Sequence, residues 1–239
     1  MTWTPGSAGR TDATMPRPSE ARPSGTGPSG SGPSGSGPSG TGPSGRVRRF
    51  TPAERWVHRV TAALMGVCLV TAGCLYLPPL AELVGRRRLV VTVHEWAGLA
   101  LPVPVLLGLA SRAFRADLRV LNRFGPHDGI WLRSALRRRG PRPAGKFNAG
   151  QKLWAAWLAG AVLVMLGTGL LMWFTRLAPL LWRTGATFVH DWLALALGVV
   201  LAGHIGKALG DPEARRGMRT GFVGRWWAES AHPLWRPGD

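Results

Sequence analysis

Cysteine is nearly absent from this chain of 239 residues, which has only two, Cys68 and Cys74. Both lie in one long apolar segment, where their spacing on a single helix keeps the sulfur atoms too far apart for a disulfide. No set of cysteines and histidines has the spacing of a zinc or iron–sulfur site. Any iron–sulfur cluster that works with this chain must therefore belong to another subunit.

Acidic residues are also scarce, since 12 Asp and Glu stand against 30 Lys and Arg, which gives a net charge of +18. Eight of the basic residues precede or open the first apolar segment, 11 lie between Arg112 and Lys152, and six lie from Lys207 onward. Cytoplasmic loops of membrane proteins collect Lys and Arg in this way. We therefore expect cytoplasmic termini, a cytoplasmic central loop and contact with anionic lipid, and no nucleic-acid binding.

Charge is rare or absent in four long stretches, each about the length that crosses a bilayer as a helix. The predicted spans are residues 56–77, 89–110, 153–175 and 184–206. Thr51 followed by Pro52 indicates the start of the first helix, and Pro102 and Pro104 should bend the second. The predicted fold class is an all-α membrane protein, a four-transmembrane-helix bundle.

Apolar residues are missing from the repeat of GPSGS and GPSGT that runs from Gly27 to Gly45 within the first 45 positions. Such a segment has nothing to bury, so we expect it to stay disordered. The predicted division is a disordered cytoplasmic tail over 1–45 and a transmembrane domain over 46–239.

Four of the six histidines lie within or at the ends of the apolar segments: His58, His94, His190 and His204. In a chain that weaves regularly, His58 and His204 share one side of the bilayer, and His94 and His190 share the other. Polar rings are costly in hydrocarbon unless they have a partner or a function. Two imidazoles at matched depth are what a b-type haem requires, so the pattern predicts two haem b groups. The alternative is a haem-free scaffold whose histidines bond across helices.

The helical spacing of two of these histidines supports this interpretation. His190 and His204 are close to four turns apart on one predicted helix, so they point to nearly the same face, about 21 Å from each other. Glu95 and Asp191 each follow a histidine, and each could accept the second ring N–H of a histidine on the neighbouring helix. The favoured alternative is that they lie in the headgroup region and pair with Arg86–Arg88 or Arg183. The other two histidines, His127 and His232, are expected to be ordinary surface groups.

A polar motif, KFNAGQKLW, stands at Lys146–Trp154, where the central loop enters the third span. Its amides Asn148 and Gln151, with Gly150, can donate hydrogen bonds to a quinone carbonyl. The same residues fit a helix cap, with Asn148 at the start and Gln151 three positions on. The two interpretations are compatible, and the sequence favours neither.

From Arg48 onward, about four fifths of the chain resembles the gamma subunit of membrane-bound formate dehydrogenase, a di-haem cytochrome b. The resemblance rests on ERWVH at the first span, the early His94 of the second, KFNAGQKLW, the HDW and GHI motifs of the fourth span and the tail RTGFVGRWWAESAHPLW. The histidine pattern alone is shared with cytochrome b subunits of hydrogenases and other molybdoenzymes. Two departures are Arg59, where the family usually has tryptophan, and the Gly-Pro-Ser tail.

The resemblance implies a division of roles among residues and subunits. His58 and His204 would hold the haem on the cytoplasmic side, His94 and His190 the haem on the outer side, and the KFNAGQ motif would contact quinone. An iron–sulfur subunit would deliver electrons, and formate chemistry would occur in a separate molybdenum or tungsten subunit. By that likeness the chain lies in a bacterial cytoplasmic membrane as an electron-transfer subunit with no catalytic residues for formate oxidation.

Overall fold

The computed structural model describes residues 45–176 and 178–236, and helices make up most of this part of the chain. The tail predicted to be disordered, residues 1–45, lies outside the described residues except for Gly45.

The first membrane hairpin is built from four helices: α1 (Pro52–Tyr76), α2 (Pro78–Val84), α3 (Arg87–Ala100) and α4 (Val103–Gly108). Helix α1 begins at Pro52 as predicted, and the Thr51 backbone N–H donates to the Glu54 carboxylate. The second span is interrupted between α3 and α4, because Pro102 and Pro104 lack the N–H that a continuous helix needs. This interruption lies where the prolines predicted a bend or a looser second half of the span.

Two short helices lie in the central connection, α5 (Arg112–Leu121) and α6 (Pro126–Leu136). The second hairpin then follows as α7 (Ala149–Trp173) and α8 (Leu180–Leu209). Four segments of the described chain are long and apolar enough to cross a membrane: Pro52–Tyr76, Arg87–Gly108, Ala149–Trp173 and Leu180–Leu209. They agree in number with the four predicted spans, and each begins and ends within a few residues of the predicted bounds.

Helix α1 packs along α3 and α4, and α7 packs along α8. A glycine permits the close approach of α4 to α1, since a Cβ on Gly108 would lie 2.7 Å from Val57 Cγ2. No other residue fits there without displacing its neighbours.

A small sheet departs from the all-α prediction. Strands β1 (Arg46–Arg48) and β2 (Phe222–Gly224) pair antiparallel, with Val47 opposite Val223. After α8 come α9 (Pro212–Thr220), then β2, then α10 (Arg225–Ala231). Val47 and Val223 are buried together with Trp227 and Ala228. Strands of three residues are too short for alternation to reveal them in the sequence.

The sheet joins the chain before α1 to the chain after α9, so both ends of the membrane domain meet at one end of the bundle. The central connection reaches the same place, because Arg49 Nη2 donates to the Lys146 carbonyl over 2.9 Å. This end is named the sheet side. The opposite end, which carries α2 and the turn before α8, is named the far side.

Candidate functional site

His58 and His204 face each other at the sheet side. His58 lies in the second turn of α1 and His204 near the end of α8, and their ring centroids are 6.4 Å apart with the planes at 64°. The indole of Trp154 stacks on His204, with centroids 5.1 Å apart and planes 7° from parallel. The predicted pairing of His58 with His204 therefore matches the placement of the two rings.

His94 and His190 face each other toward the far side. Their ring centroids are 6.2 Å apart, again with the planes at 64°. The two pairs thus have nearly equal spacing, although they join different helices: α1 with α8 in one case, α3 with α8 in the other.

These spacings fit a metal ion held between each pair. Two metal–imidazole bonds of about 2 Å, together with the distance from each nitrogen to its ring centre, separate trans imidazole centroids by roughly 6 Å. Bis-histidine ligation by one residue above and one below the iron is a common arrangement for haem. Among the described residues no Nε2 atom of the four takes part in a hydrogen bond. Each pair of rings would therefore fit a b-type haem.

Two threonines contact the far-side rings, and the sequence analysis did not anticipate them. Thr71 Oγ1 lies 2.8 Å from His94 Nδ1, and Thr168 Oγ1 lies 2.9 Å from His190 Nδ1. Each threonine precedes its histidine by just over twenty residues, on the other arm of the same hairpin. That repeated Thr–His spacing is the signal in the sequence that identifies them.

The predicted partners of the two intramembrane carboxylates are wrong. No ion pair within residues 45–176 and 178–236 involves Glu95 or Asp191. Asp191 instead accepts a hydrogen bond from the Tyr76 hydroxyl. Tyr76 is the last residue of α1, so this bond ties the far end of α1 to α8 and makes an arginine partner unnecessary.

The amide motif forms the predicted helix cap. The Asn148 N–H donates to Gln151 Oε1 over 3.0 Å, and the Gln151 N–H donates to Asn148 Oδ1 over 2.9 Å. The side-chain NH₂ groups of both amides make no hydrogen bond to the described residues, so capping leaves these donors free. Gln151 lies one turn before Trp154, whose indole stacks on His204.

Gly150 has a packing role in this motif. A Cβ at this position would lie 2.9 Å from the Trp131 ring of α6, so only glycine permits the contact. Close packing between the start of α7 and α6 thus accounts for this glycine.

A buried charge cluster lies beside the motif. Lys146 Nζ is 2.5 Å from Asp117 Oδ1 and 3.4 Å from Glu54 Oε1, so one ammonium group serves two carboxyl groups. Burial, followed by the hydrogen bond with Glu54, raises the pKa of Asp117 to about 7. Next to this cluster, Lys152 Nζ pairs with Asp128 Oδ2 over 2.8 Å.

His232 corrects another prediction, because it is buried at 3 % exposure and not on the surface. Arg49 Nη1 lies 3.0 Å from its Nε2, and its Nδ1 lies 2.6 Å from the Gly145 carbonyl oxygen. Arginine only donates, so Nε2 accepts and Nδ1 carries the proton. Burial first, and Arg49 second, lower the pKa of His232 to about 4, so the ring is neutral at pH 7.

Comparison with known proteins gives concordant matches. A family model described as prokaryotic cytochrome b561 matches residues 49–219. The formate dehydrogenase cytochrome b556(fdo) subunit of Escherichia coli strain K12 is 27 % identical over 199 residues, which cover 78 % of this chain and 90 % of that protein. The cytochrome b556(Fdn) subunit of the nitrate-inducible formate dehydrogenase from the same strain is 30 % identical over 94 residues, 38 % of this chain and 43 % of the relative.

Proposed function

This chain belongs to the prokaryotic cytochrome b561 family, and from that premise we propose that it is the di-haem, quinone-reducing subunit of a formate dehydrogenase. Membership in the family implies b-type haem and electron transfer within a multi-pass membrane protein. The observation that carries the finer proposal is the matched spacing of the two histidine pairs, 6.4 and 6.2 Å between ring centroids.

We assign one haem to each pair. His58 and His204 hold one on the sheet side, and His94 and His190 hold the other toward the far side. Bound haem iron accepts and releases one electron at a time. Helix α8 supplies a ligand to both sites, and its rise separates the two ligands by about 21 Å.

The quinone site lies on the sheet side in this proposal. The free amide NH₂ groups of Asn148 and Gln151 donate to a quinone carbonyl, while their oxygens keep the helix start in place. Gly150 brings α7 close to α6 and so fixes the direction in which the two amides point. Trp154, one turn after Gln151 on α7, stacks on His204 and so connects this motif to the sheet-side histidines.

The charge distribution sets the orientation that we propose. The sheet side carries the two basic ends and the basic central connection, which supports a cytoplasmic location for it and for both termini in a bacterial cell. Quinone then takes its protons from the cytoplasm. The far side faces outward, where an iron–sulfur subunit delivers electrons drawn from a molybdenum- or tungsten-containing subunit.

The relatives favour formate dehydrogenase over a hydrogenase or another molybdoenzyme as the parent complex, because both are named as formate dehydrogenase subunits. Purification of the chain from its native membrane tests this choice. We expect an iron–sulfur protein and a large molybdenum or tungsten protein with formate-oxidising activity to co-purify. Recovery with a hydrogenase would leave the di-haem assignment intact and overturn the choice of complex.

The ligand assignment is tested by single substitutions with reduced-minus-oxidised spectra of detergent-purified protein. We expect His58→Ala and His190→Ala each to remove one haem, and a different spectral component in each case. His127→Ala, on the exposed face of α6, is the matched control and should keep both. Loss of the same component in both ligand variants would overturn the pairing, and absence of haem from the unaltered protein would favour a scaffold.

A further inference from the structure

The two hairpins present the far-side histidines in the same way. In each, a threonine from the first arm, α1 or α7, contacts the Nδ1 atom of a histidine on the second arm, at 2.8 and 2.9 Å. In each, the same hydroxyl also reaches the carbonyl four residues earlier on its own helix: Thr71 to Val67 at 2.7 Å, and Thr168 to Val164 at 2.8 Å.

The helix carbonyls settle which atom donates the hydrogen. A hydroxyl has one hydrogen and two lone pairs. Each hydroxyl has a second helix carbonyl within reach, Cys68 O at 3.0 Å for Thr71 and Met165 O at 3.1 Å for Thr168. Because carbonyls can only accept, this setting favours a threonine that donates to a carbonyl and accepts from the ring. This arrangement puts the proton of His94 and of His190 on Nδ1 and leaves the Nε2 lone pair of each ring free to bind a metal.

The sheet-side pair lacks this arrangement. No hydrogen bond among the described residues engages a ring nitrogen of His58 or His204. The neighbour of His204 is the stacked indole of Trp154, a flat apolar contact that holds the ring without fixing its tautomer. The two sites thus have the same ligands and different surroundings.

We propose that Thr71 and Thr168 are positioning residues for the far-side haem, which fix the ligand tautomers and lower the midpoint potential of that haem. A histidine that donates its second ring N–H becomes a more basic ligand, and this favours the ferric over the ferrous state. A lower potential on the far side directs electrons toward the sheet side, where the quinone site is placed. This inference rests on the proposed function.

The test is a potentiometric titration of the two haems in purified protein, with Thr71→Val and Thr168→Val. Valine keeps the shape of threonine and removes the hydroxyl. We expect the midpoint potential of the far-side haem to rise in each variant by up to about 59 mV. For a one-electron couple this shift is about a tenfold change in the equilibrium constant. The sheet-side midpoint should stay unchanged. Serine at either position should restore the original value, because it returns the hydroxyl.

Thr187→Val is the matched control. Thr187 lies one turn before His190 on α8 and makes the same bond to a helix carbonyl, Arg183 O at 3.0 Å, without a ring contact. Loss of the far-side haem alone in a valine variant, reversed by serine, would also support positioning. Equal shifts in Thr71→Val, Thr168→Val and Thr187→Val, or a shift of the sheet-side component instead, would overturn the proposal.

Failure of this proposal is distinguishable from failure of the proposed function. If the unaltered protein binds two haems, and His94→Ala and His190→Ala remove the same one, the ligand assignment stands whatever the threonine variants do. If the unaltered protein binds no haem, the ligand assignment itself has failed.

Discussion

The membrane helices and the sheet side of this chain use polar groups in opposite ways. Away from their sheet-side ends, the membrane helices have few polar side chains. Those that contact one another across helices there involve a histidine or, through Tyr76 and Asp191, the residue beside one. On the sheet side, Glu54 and Asp117 are buried around the Lys146 ammonium, and the buried Arg49 contacts His232. Water and buried partners can stabilise charge at the sheet side, whereas hydrocarbon cannot.

Because of this difference, we expect the two regions to respond to different changes in pH and in sequence. The sheet side depends on paired charges, so it should respond to pH and to loss of a partner. The haem sites depend on the spacing between helices, so they should tolerate changes at the sheet side that do not move α1, α7 or α8. The predictions below test that separation, from the largest expected effect to the smallest.

Removal of a buried ion partner should have the largest effect on stability. Asp128→Ala leaves the Lys152 ammonium, whose side chain is 9 % exposed, without its carboxylate. We expect unfolding to become easier by about 3–5 kcal/mol, because an unpaired buried charge remains. Thermal unfolding in detergent measures this change.

The control for that variant is an exposed ion pair in the same region. Arg225 and Glu229 lie 4.0 Å apart with side chains 59 % and 69 % exposed. Glu229→Ala should therefore change the stability by less than about 1 kcal/mol. A similar loss of stability in Asp128→Ala and Glu229→Ala would show that burial does not determine how much each ion pair contributes.

The pH dependence of stability should identify the charge cluster around Asp117. The pKa of Asp117 is about 7 in the folded protein, against an ordinary value of 3.8, because the carboxyl group is buried and faces Glu54. Among the described residues, Lys146 has the only ammonium group that it contacts. Folding therefore favours the protonated form, and the stability that this group contributes is lost as the pH rises through about 7.

Asp117→Asn removes the titrating group and keeps its shape. Thermal unfolding measured from about pH 5 to about pH 8 should fall more steeply with pH in the unaltered protein than in this variant. Parallel curves would contradict a raised pKa for Asp117.

Loss of the amide at the start of α7 should change the stability only slightly and should clearly lower the rate of quinone reduction. Asn148→Ala removes a cap, worth about 1 kcal/mol, and a proposed quinone donor. We expect slower quinone reduction with both haems retained. Ser111→Ala removes the corresponding cap of α5, where Ser111 accepts from the Phe114 N–H, and should leave quinone reduction unchanged. Loss of haem in Asn148→Ala would assign Asn148 a structural role alone.

Much of the membrane part could be predicted because it follows from composition and periodicity. Long uncharged runs located the four spans, and helical spacing along α8 identified His190 and His204 as sharing a face. The pairing of His58 with His204, and of His94 with His190, required only regular weaving across a bilayer. Each of these arguments depends on one helix or on its order in the chain.

The features that sequence reasoning missed depend on contacts between distant segments. The strand at Val47 pairs with residues far along the chain, so no local pattern reveals it. His232 stands in a polar stretch and gives no sign that Arg49 and Gly145 bury it. For Asp191 the nearby arginines were the obvious partners, whereas the observed donor, Tyr76, comes from another helix.

The central claim is that each histidine pair holds one b haem. The most direct test is the amount of haem b per polypeptide, measured by pyridine haemochrome on detergent-purified protein that was produced with haem supplied. The account predicts two haems per chain, which fall to one in His190→Ala and to one in His58→Ala. Folded protein without haem would contradict it and leave four intramembrane histidines to be explained as helix-to-helix contacts.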